Sequence, residues 1–178
     1  MKKLFVLCLF YLLQTGVSFS QNTDSNVRHF IKLESGYMHY LTNIVTVEAA
    51  PGWKGYYLHN KQNGFDVNAM YGWDFNEYLY VGLGTGYLNF QGTQGVSTFS
   101  DVDIYVSNSY VNPYFNIKLG YSHIWNQYDG GRGTFLGQFG LGVNFKFDKY
   151  SYLSFYVKSG VMLTQQSLLI PVGIGVKF

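Results

Sequence analysis

Cysteine is nearly missing from this chain: the single copy, Cys8, lies within the first ten residues. Charge is scarce too, at 12% of residues where soluble domains carry about 25%. Long apolar runs are confined to the start, between Leu4 and Leu13. Each shortage excludes something. Disulfides cannot supply the stability of the exported chain. An ordinary solvated surface is hard to build from so few charges. Membrane-spanning helices need runs of about 20 apolar residues, and no such run follows the first one.

The start reads as an export signal. In "MKKLFVLCLFYLLQTGVSFSQ" two lysines precede the apolar run, and the small residues Ser18 and Ser20 follow it at a cleavage-like position. The expectation is a signal peptide over residues 1–20, cut before Gln21, and one domain over 21–178. Cys8 sits inside the apolar run with too little sequence ahead of it for a lipid-attachment site. Without Lys2 and Lys3, ten Lys or Arg face ten Asp or Glu. No basic face for nucleic acid is implied.

What the chain has in abundance is aromatic residues and glycine. Tyr and Phe number 17 and 15, and there are 21 Gly. They fall into period-two alternation, the mark of strands. In "FLGQFGLGVNFKF" the residues Phe135, Phe139, Leu141, Val143 and Phe145 share one face, while Gln138, Asn144 and Lys146 share the other. The same grammar recurs in "NGFDVNAMYGWDF", "YLYVGLGTGYLNF", "PYFNIKLGYSHIW", "YSYLSFYVKSGVM" and the terminal "LLIPVGIGVKF". Residues 28–41 alternate less cleanly because Ser35 interrupts the apolar face, and residues 100–109 offer only Val102, Ile104 and Val106. Eight strands are predicted.

Short turns are predicted near 76–77, 109–112 and 148–149. Longer polar links are predicted at 43–62, 91–100 and 126–134, with a shorter one at 164–168. Alternating short and long links predict an all-β fold, an eight-stranded antiparallel up-and-down transmembrane β-barrel.

Alternation alone does not say which face is inside. One face holds Lys32, Glu34, Asp66, Lys118, Lys146 and Lys158, and the other is almost free of charge. Aromatics gather in two bands: Trp73, Phe75, Tyr78, Phe145, Phe147, Tyr150 and Tyr152 by the short turns, and Tyr37, Tyr40, Tyr87, Phe90, Tyr121 and Trp125 at the opposite strand ends. Two aromatic girdles flanking aliphatics suit a bilayer. The apolar face is therefore expected to meet lipid. The six charges are expected in a lumen just wide enough for side chains to fill.

The terminal "VGIGVKF", with Ile170, Val172, Ile174, Val176 and Phe178 on one parity, resembles the C-terminal signal of outer-membrane barrels. The chain over about 27–178 is similar to the eight-stranded family that includes the membrane domain of outer-membrane protein A and outer-membrane protein X. Its Gly- and Tyr-rich style is similar to small barrels of Bacteroidota. The resemblance implies a cell outer-membrane location, outer-membrane lipid as surroundings, and assembly machinery that reads the last strand. It also implies a monomer with a structural or surface-interaction role. A narrow channel for small solutes and a lipid-modifying enzyme are the alternatives.

No catalytic, cofactor or metal site emerges. The glycines of "GLGTG", residues 82–86, lie within an alternating strand, whereas a dinucleotide fingerprint needs a helix after them. The histidines at 29, 39, 59 and 123 lack metal-ligand spacing. Ser122 with His123, and Glu34 with His39, have opposite parity and cannot pair within a regular strand. The loops at 43–62 and 126–134, with Trp53, Lys54, Tyr56, Tyr57 and Lys61 in the first, are the candidates for glycan or protein recognition.

Overall fold

The computed structural model describes residues 28–44, 58, 62–125, 132–147 and 153–178. The expected signal peptide, the Asp148-Lys149 turn and most of the residues singled out in the two loops lie outside them.

Eight antiparallel strands close on themselves in sequence order: β1 Arg28–Asn43, β2 Gly64–Asn76, β3 Leu79–Phe90, β4 Thr93–Tyr105, β5 Val111–Ile124, β6 Arg132–Lys146, β7 Ser154–Thr164 and β8 Ser167–Lys177. Closure gives every strand two partners and leaves no free edge. The register is staggered. Ile31 stands beside Tyr71, and the row runs on through Leu83, Ser100, Leu119, Gly137, Leu163 and Leu168. It returns to β1 at Thr42 instead of Ile31, past a bulge between Tyr40 and Thr42. Such a stagger requires strands tilted to the barrel axis.

One end of the barrel, the turn end, carries the links 77–78, 106–110 and 147–153 together with the start of β1 and Phe178. The other, the loop end, carries 44–63, 91–92, 125–131 and 165–166. The alternation of short and long links is thus less regular than predicted. Residues 93–100, predicted as loop, belong to β4: Gly95, Ser97 and Phe99 point inward in alternation with Val96, Thr98 and Ser100, and residues 93–104 all pair with β3. Residues 167 and 168 likewise open β8. The first tight turn is Glu77-Tyr78, one residue later than expected, and the next link spans 106–110.

The two short loop-end turns share one geometry. Gln91 and Gly92 have φ of 50° and 99°, and Gln165 and Gln166 have 49° and 55°. Positive φ at both central residues is the hairpin turn whose twist matches the flanking strands. Gly92 adopts it freely, and a side chain at Gln166 does so at a cost of about 1–2 kcal/mol.

The interior is layered along the axis. Phe30, Tyr80, Tyr105, Tyr114 and Tyr156 form an aromatic layer at the turn end. Met38, Leu88, Phe90, Ile124 and Leu169 belong to an apolar layer at the loop end, where Leu58 drops in from the β1–β2 link. Phe90, expected in a girdle, is fully buried in this layer. The parity of β3 turns it inward with Leu88. Tyr40 packs against the same layer, partly buried. The wide aromatic rings fit because glycines face them: a Cβ on Gly142 would strike the Tyr114 ring, and one on Gly175 the Tyr156 ring.

The turns provide a paired test. Gly92→Ala is expected to lower stability by about 1 kcal/mol, and Gln166→Gly to leave it unchanged or raise it by up to about 1 kcal/mol. Urea unfolding of both variants in micelles measures this, and equal losses would contradict the strain assigned to Gln166.

Candidate functional site: a charged network across the lumen

The two faces of the barrel wall differ sharply. Outside, Leu83 is 66% exposed, Ile174 63% and Phe139 59%. Inside, Lys32, Glu34, Lys118 and Lys158 are all at most 5% exposed. Three hydroxyls on the outer face are satisfied by backbone carbonyls. Thr85 donates to the Ser97 carbonyl at 3.0 Å, Ser100 to that of Leu119 at 3.1 Å, and Ser159 to that of Pro171 at 3.0 Å. Apolar residues cover most of the rest, an arrangement that water would oppose and hydrocarbon would favour.

The interior charges join into one hydrogen-bonded chain. Asp74, 22% exposed at its side chain, accepts from Lys177 Nζ at 2.7 Å. Lys177 also reaches the Tyr105 hydroxyl at 3.5 Å, and that hydroxyl donates to Asp103 Oδ2 at 3.3 Å. Lys32 Nζ bridges Asp103 at 2.7 Å and Asp101 at 2.5 Å. Asn116 Nδ2 donates to both of these aspartates at 2.7 Å, and its Oδ1 accepts from Lys158 at 2.9 Å. Lys158 and Lys118 each contact Glu34 at 2.7 Å. Asn68 then links Glu34 to Asp66, at 3.3 and 2.6 Å.

These contacts cross the lumen. Those of Lys32 and Glu34 tie β1 to β4, β5 and β7, while Lys177 ties β8 to β2. Ammonium groups also lie over aromatic faces: Lys32 over Tyr80 at 4.4 Å, Lys118 over Phe99 at 4.6 Å and Lys177 over Phe30 at 4.3 Å. With ionic partners, hydrogen bonds and ring faces, the buried ammonium groups replace much of their lost hydration.

At the loop end, neutral polar groups close the mouth. Ser122 Oγ meets Thr164 Oγ1 at 2.7 Å and Thr134 Oγ1 at 3.2 Å, and Gln165 Nε2 donates to Ser122 at 3.2 Å. The β7–β8 turn thereby folds over the opening, and Leu58 N donates to Ser167 Oγ at 3.3 Å beside it.

Comparison with solved structures finds the same architecture. The N-terminal β-barrel domain of Pseudomonas aeruginosa OprF is 13% identical, covers 84% of this chain and 97% of its own, and superposes with a TM-score of 0.54. Neisserial surface protein A is 9% identical, with 85% of this chain and 97% of that one covered, at a TM-score of 0.60. The fold is that of the small outer-membrane barrels. Identities this low speak for the fold alone. No protein-family model matches the chain, and no curated protein matches it by sequence.

Of the six charges singled out in the sequence, Lys32, Glu34, Asp66, Lys118 and Lys158 lie in the network. Lys146 is set apart at the turn-end rim, where it donates to Asn108 Oδ1 at 2.7 Å. Sequence reasoning missed Asp101 and Asp103: the strand over 100–109 was recognised only by Val102, Ile104 and Val106, and the opposite face of "DVDI", which carries both aspartates, was passed over. It also passed over Asp74 and Lys177, which have the inward parity of their strands. Ile170, Val172, Ile174, Val176 and Phe178 all have the outward parity of β8. Phe178 exchanges backbone hydrogen bonds with Ile31 at 2.8 and 2.9 Å, fastening the last strand to the first.

The other sequence candidates do not converge on chemistry. Ser122 is buried inside and His123 faces outward; His29 sits on the outer rim with Nδ1 2.8 Å from the Tyr71 hydroxyl. Gly82, Gly84 and Gly86 lie in β3, and His59 is outside the described residues. Among the described residues no group of three or more His, Cys, Asp or Glu could hold a metal ion.

Glu34 is the hub, so its neutralisation has the largest expected effect. Glu34→Gln strands Lys118 and Lys158 and is expected to cost about 3–5 kcal/mol. Lys146→Met at the rim is expected to cost about 1 kcal/mol or less. Denaturant midpoints of the two variants in the same lipid measure the difference.

Proposed function

We propose that this chain is an integral barrel of the bacterial outer membrane, monomeric, with a lumen filled by side chains and a structural or surface-interaction role. One observation carries the reading: the wall is apolar outside while the inside is tied by ion pairs. In water the outward phenylalanines and leucines would drive aggregation; in hydrocarbon they are at home. The same surroundings demand that backbone groups be satisfied within the wall, and closure does that.

The position of Ile170, Val172, Ile174, Val176 and Phe178 supports their reading as an assembly signal. They form the outward edge of the strand that closes the barrel, so they are available to the assembly machinery until β1 arrives. The kinship with outer-membrane protein A and outer-membrane protein X, and the Bacteroidota-like style, belong to the same proposal. Location in the cell outer membrane, after export by the leader, follows from it.

The filled lumen favours a structural role over a channel. Ion pairs cross the lumen at mid-depth, and apolar packing follows above them. Planar-bilayer recordings are expected to give no large, steady single-channel currents, and such currents would replace this reading with the channel. Unchanged lipid A mass after incubation with purified protein is the expected result against the enzyme reading.

Membrane placement has its own tests. The protein is expected to show a heat-modifiable gel shift, with its strands protected from protease in membranes. Phe139→Arg on the outer face is expected to cost about 2–4 kcal/mol in lipid. A folded product that stays dissolved without detergent would overturn the placement.

A further inference from the structure

The two short turns at the loop end have one backbone geometry and unlike surroundings. Gln91-Gly92 is exposed, carries glycine at one of its positive-φ positions, and has the Gly92 amide capped by Asn89 Oδ1 at 3.1 Å. Gln165-Gln166 reaches the same geometry without glycine. It is turned inward over the mouth, with Gln165 fully buried. Oε1 of both glutamines is buried and has no hydrogen-bond partner. Left-handed backbone without glycine and buried unpaired amide oxygens both oppose the closed form. Strain of this kind persists at clamps and switches, where the surrounding structure holds it in place.

What holds the turn differs on its two sides. Towards β1 the grip is backbone: Leu168 is paired with Thr42 and Ser167 with Asn43, and Ile44 N donates to the Gln166 carbonyl at 2.9 Å. Towards β6 the ladder stops at Gly137 with Leu163. Beyond that rung the contacts are made through hydroxyls. Gln165 N donates to Thr134 Oγ1 at 3.0 Å, its Nε2 donates to Ser122 Oγ at 3.2 Å, and Thr164 Oγ1 lies 2.7 Å from Ser122 Oγ. Ser167 has one hydroxyl hydrogen for two acceptors, the Gln165 carbonyl at 3.1 Å and Asn43 Oδ1 at 3.0 Å.

The ladder beneath the turn is interrupted as well. Rungs between β7 and β8 run to Ser159 with Val172 and resume at Met162 with Leu169. In the gap stands Pro171, which has no N–H to offer. Behind the turn lies the apolar layer, where Met38, Leu136, Met162 and Leu169 are at most 2% exposed.

We propose that the β7–β8 turn is a latch on the loop-end mouth. Its β1 side is the hinge, and the hydroxyls of Ser122 and Thr134 are the catch. Freed from the catch, residues 164–167 swing away from β6. The φ strain and the unpaired glutamine oxygens are relieved, and the apolar layer meets solvent from the loop side. The ion pairs below stay closed, so the latch opens a mouth and not a pore. The inference rests on the filled lumen proposed above and is independent of which membrane holds the barrel.

Cysteine labelling of the folded protein in lipid nanodiscs tests it. Leu136→Cys, on the inner face of β6, is the reporter, since Cys8 of the expected signal peptide is the chain's only cysteine. A charged methanethiosulfonate is the reagent, and the gel shift shows that the barrel stays folded. The reporter is expected to be labelled slowly, without loss of the folded form. Adding Thr134→Val, which removes part of the catch, is expected to raise the rate about fivefold. Adding Gln166→Gly, which relaxes the closed turn, is expected to lower it several-fold. Equal rates in the three backgrounds would overturn the latch, as would no labelling at all. Hydrogen exchange of the wild type, read by NMR, needs no substitution. The Gln165 amide on the catch side is expected to exchange several-fold faster than that of Leu168 on the hinge side, and equal rates would count against the latch. Its failure with a normal gel shift would leave the membrane barrel and its filled lumen standing.

Discussion

Closure of β8 onto β1 is the constraint on which the rest of this molecule depends. A tilted sheet of eight strands has two edges, and inside hydrocarbon each edge would carry a row of unpaired amides and carbonyls. Pairing from Lys32 with Lys177 to Asn43 with Ser167 removes both rows together. The pair of bonds between Ile31 and Phe178 extends the seam to the last residue. Once the seam is made, the parity of every strand is committed. A side chain points either to lipid or into a narrow lumen, with no third environment except at the rims.

The narrowness explains what fills the lumen. Several glycines of the wall lie opposite wide rings, as with Gly142 under Tyr114 and Gly175 under Tyr156. Where strands face one another without a ring between them, long lysines reach across to carboxylates. Glu34 receives Lys118 from β5 and Lys158 from β7, and Lys32 reaches Asp101 and Asp103 on β4. Such pairs add less net stability than their short distances suggest, since each charge has lost its water. Their stronger effect is on register: a slip of one residue in β1 would turn Lys32 and Glu34 towards lipid and leave four partners stranded.

Much of the wall was legible because lipid and lumen enforce a strict period of two. Clean alternation in β2, β3, β5, β6, β7 and β8 identifies strands without any knowledge of their neighbours. β1 is recognisable despite Ser35, a polar residue in the middle of its outer face. β4 was half lost because its outward residues include Thr98 and Ser100 where other strands carry larger apolar side chains; Ser100 donates its hydroxyl to the Leu119 carbonyl. Read one residue at a time they look like loop. Asp101 and Asp103 lie in the half that Val102, Ile104 and Val106 did reveal, but on its opposite face, so the partners of Lys32 stayed out of view.

From the order of its residues alone, the chain determined its class, the face that meets lipid and most of the charges enclosed. Those properties are local, set by alternation and by the side chains that hydrocarbon rejects. Which lysine meets which carboxylate, why Lys146 is left at the rim, and how the interior divides into aromatic, ionic and apolar layers were decided only by the tertiary structure. Stagger and closure bring together residues as far apart as Glu34 and Lys158. Parity tells a side chain to point inward, but only the tilt of the whole wall sets its height and the partner it finds there.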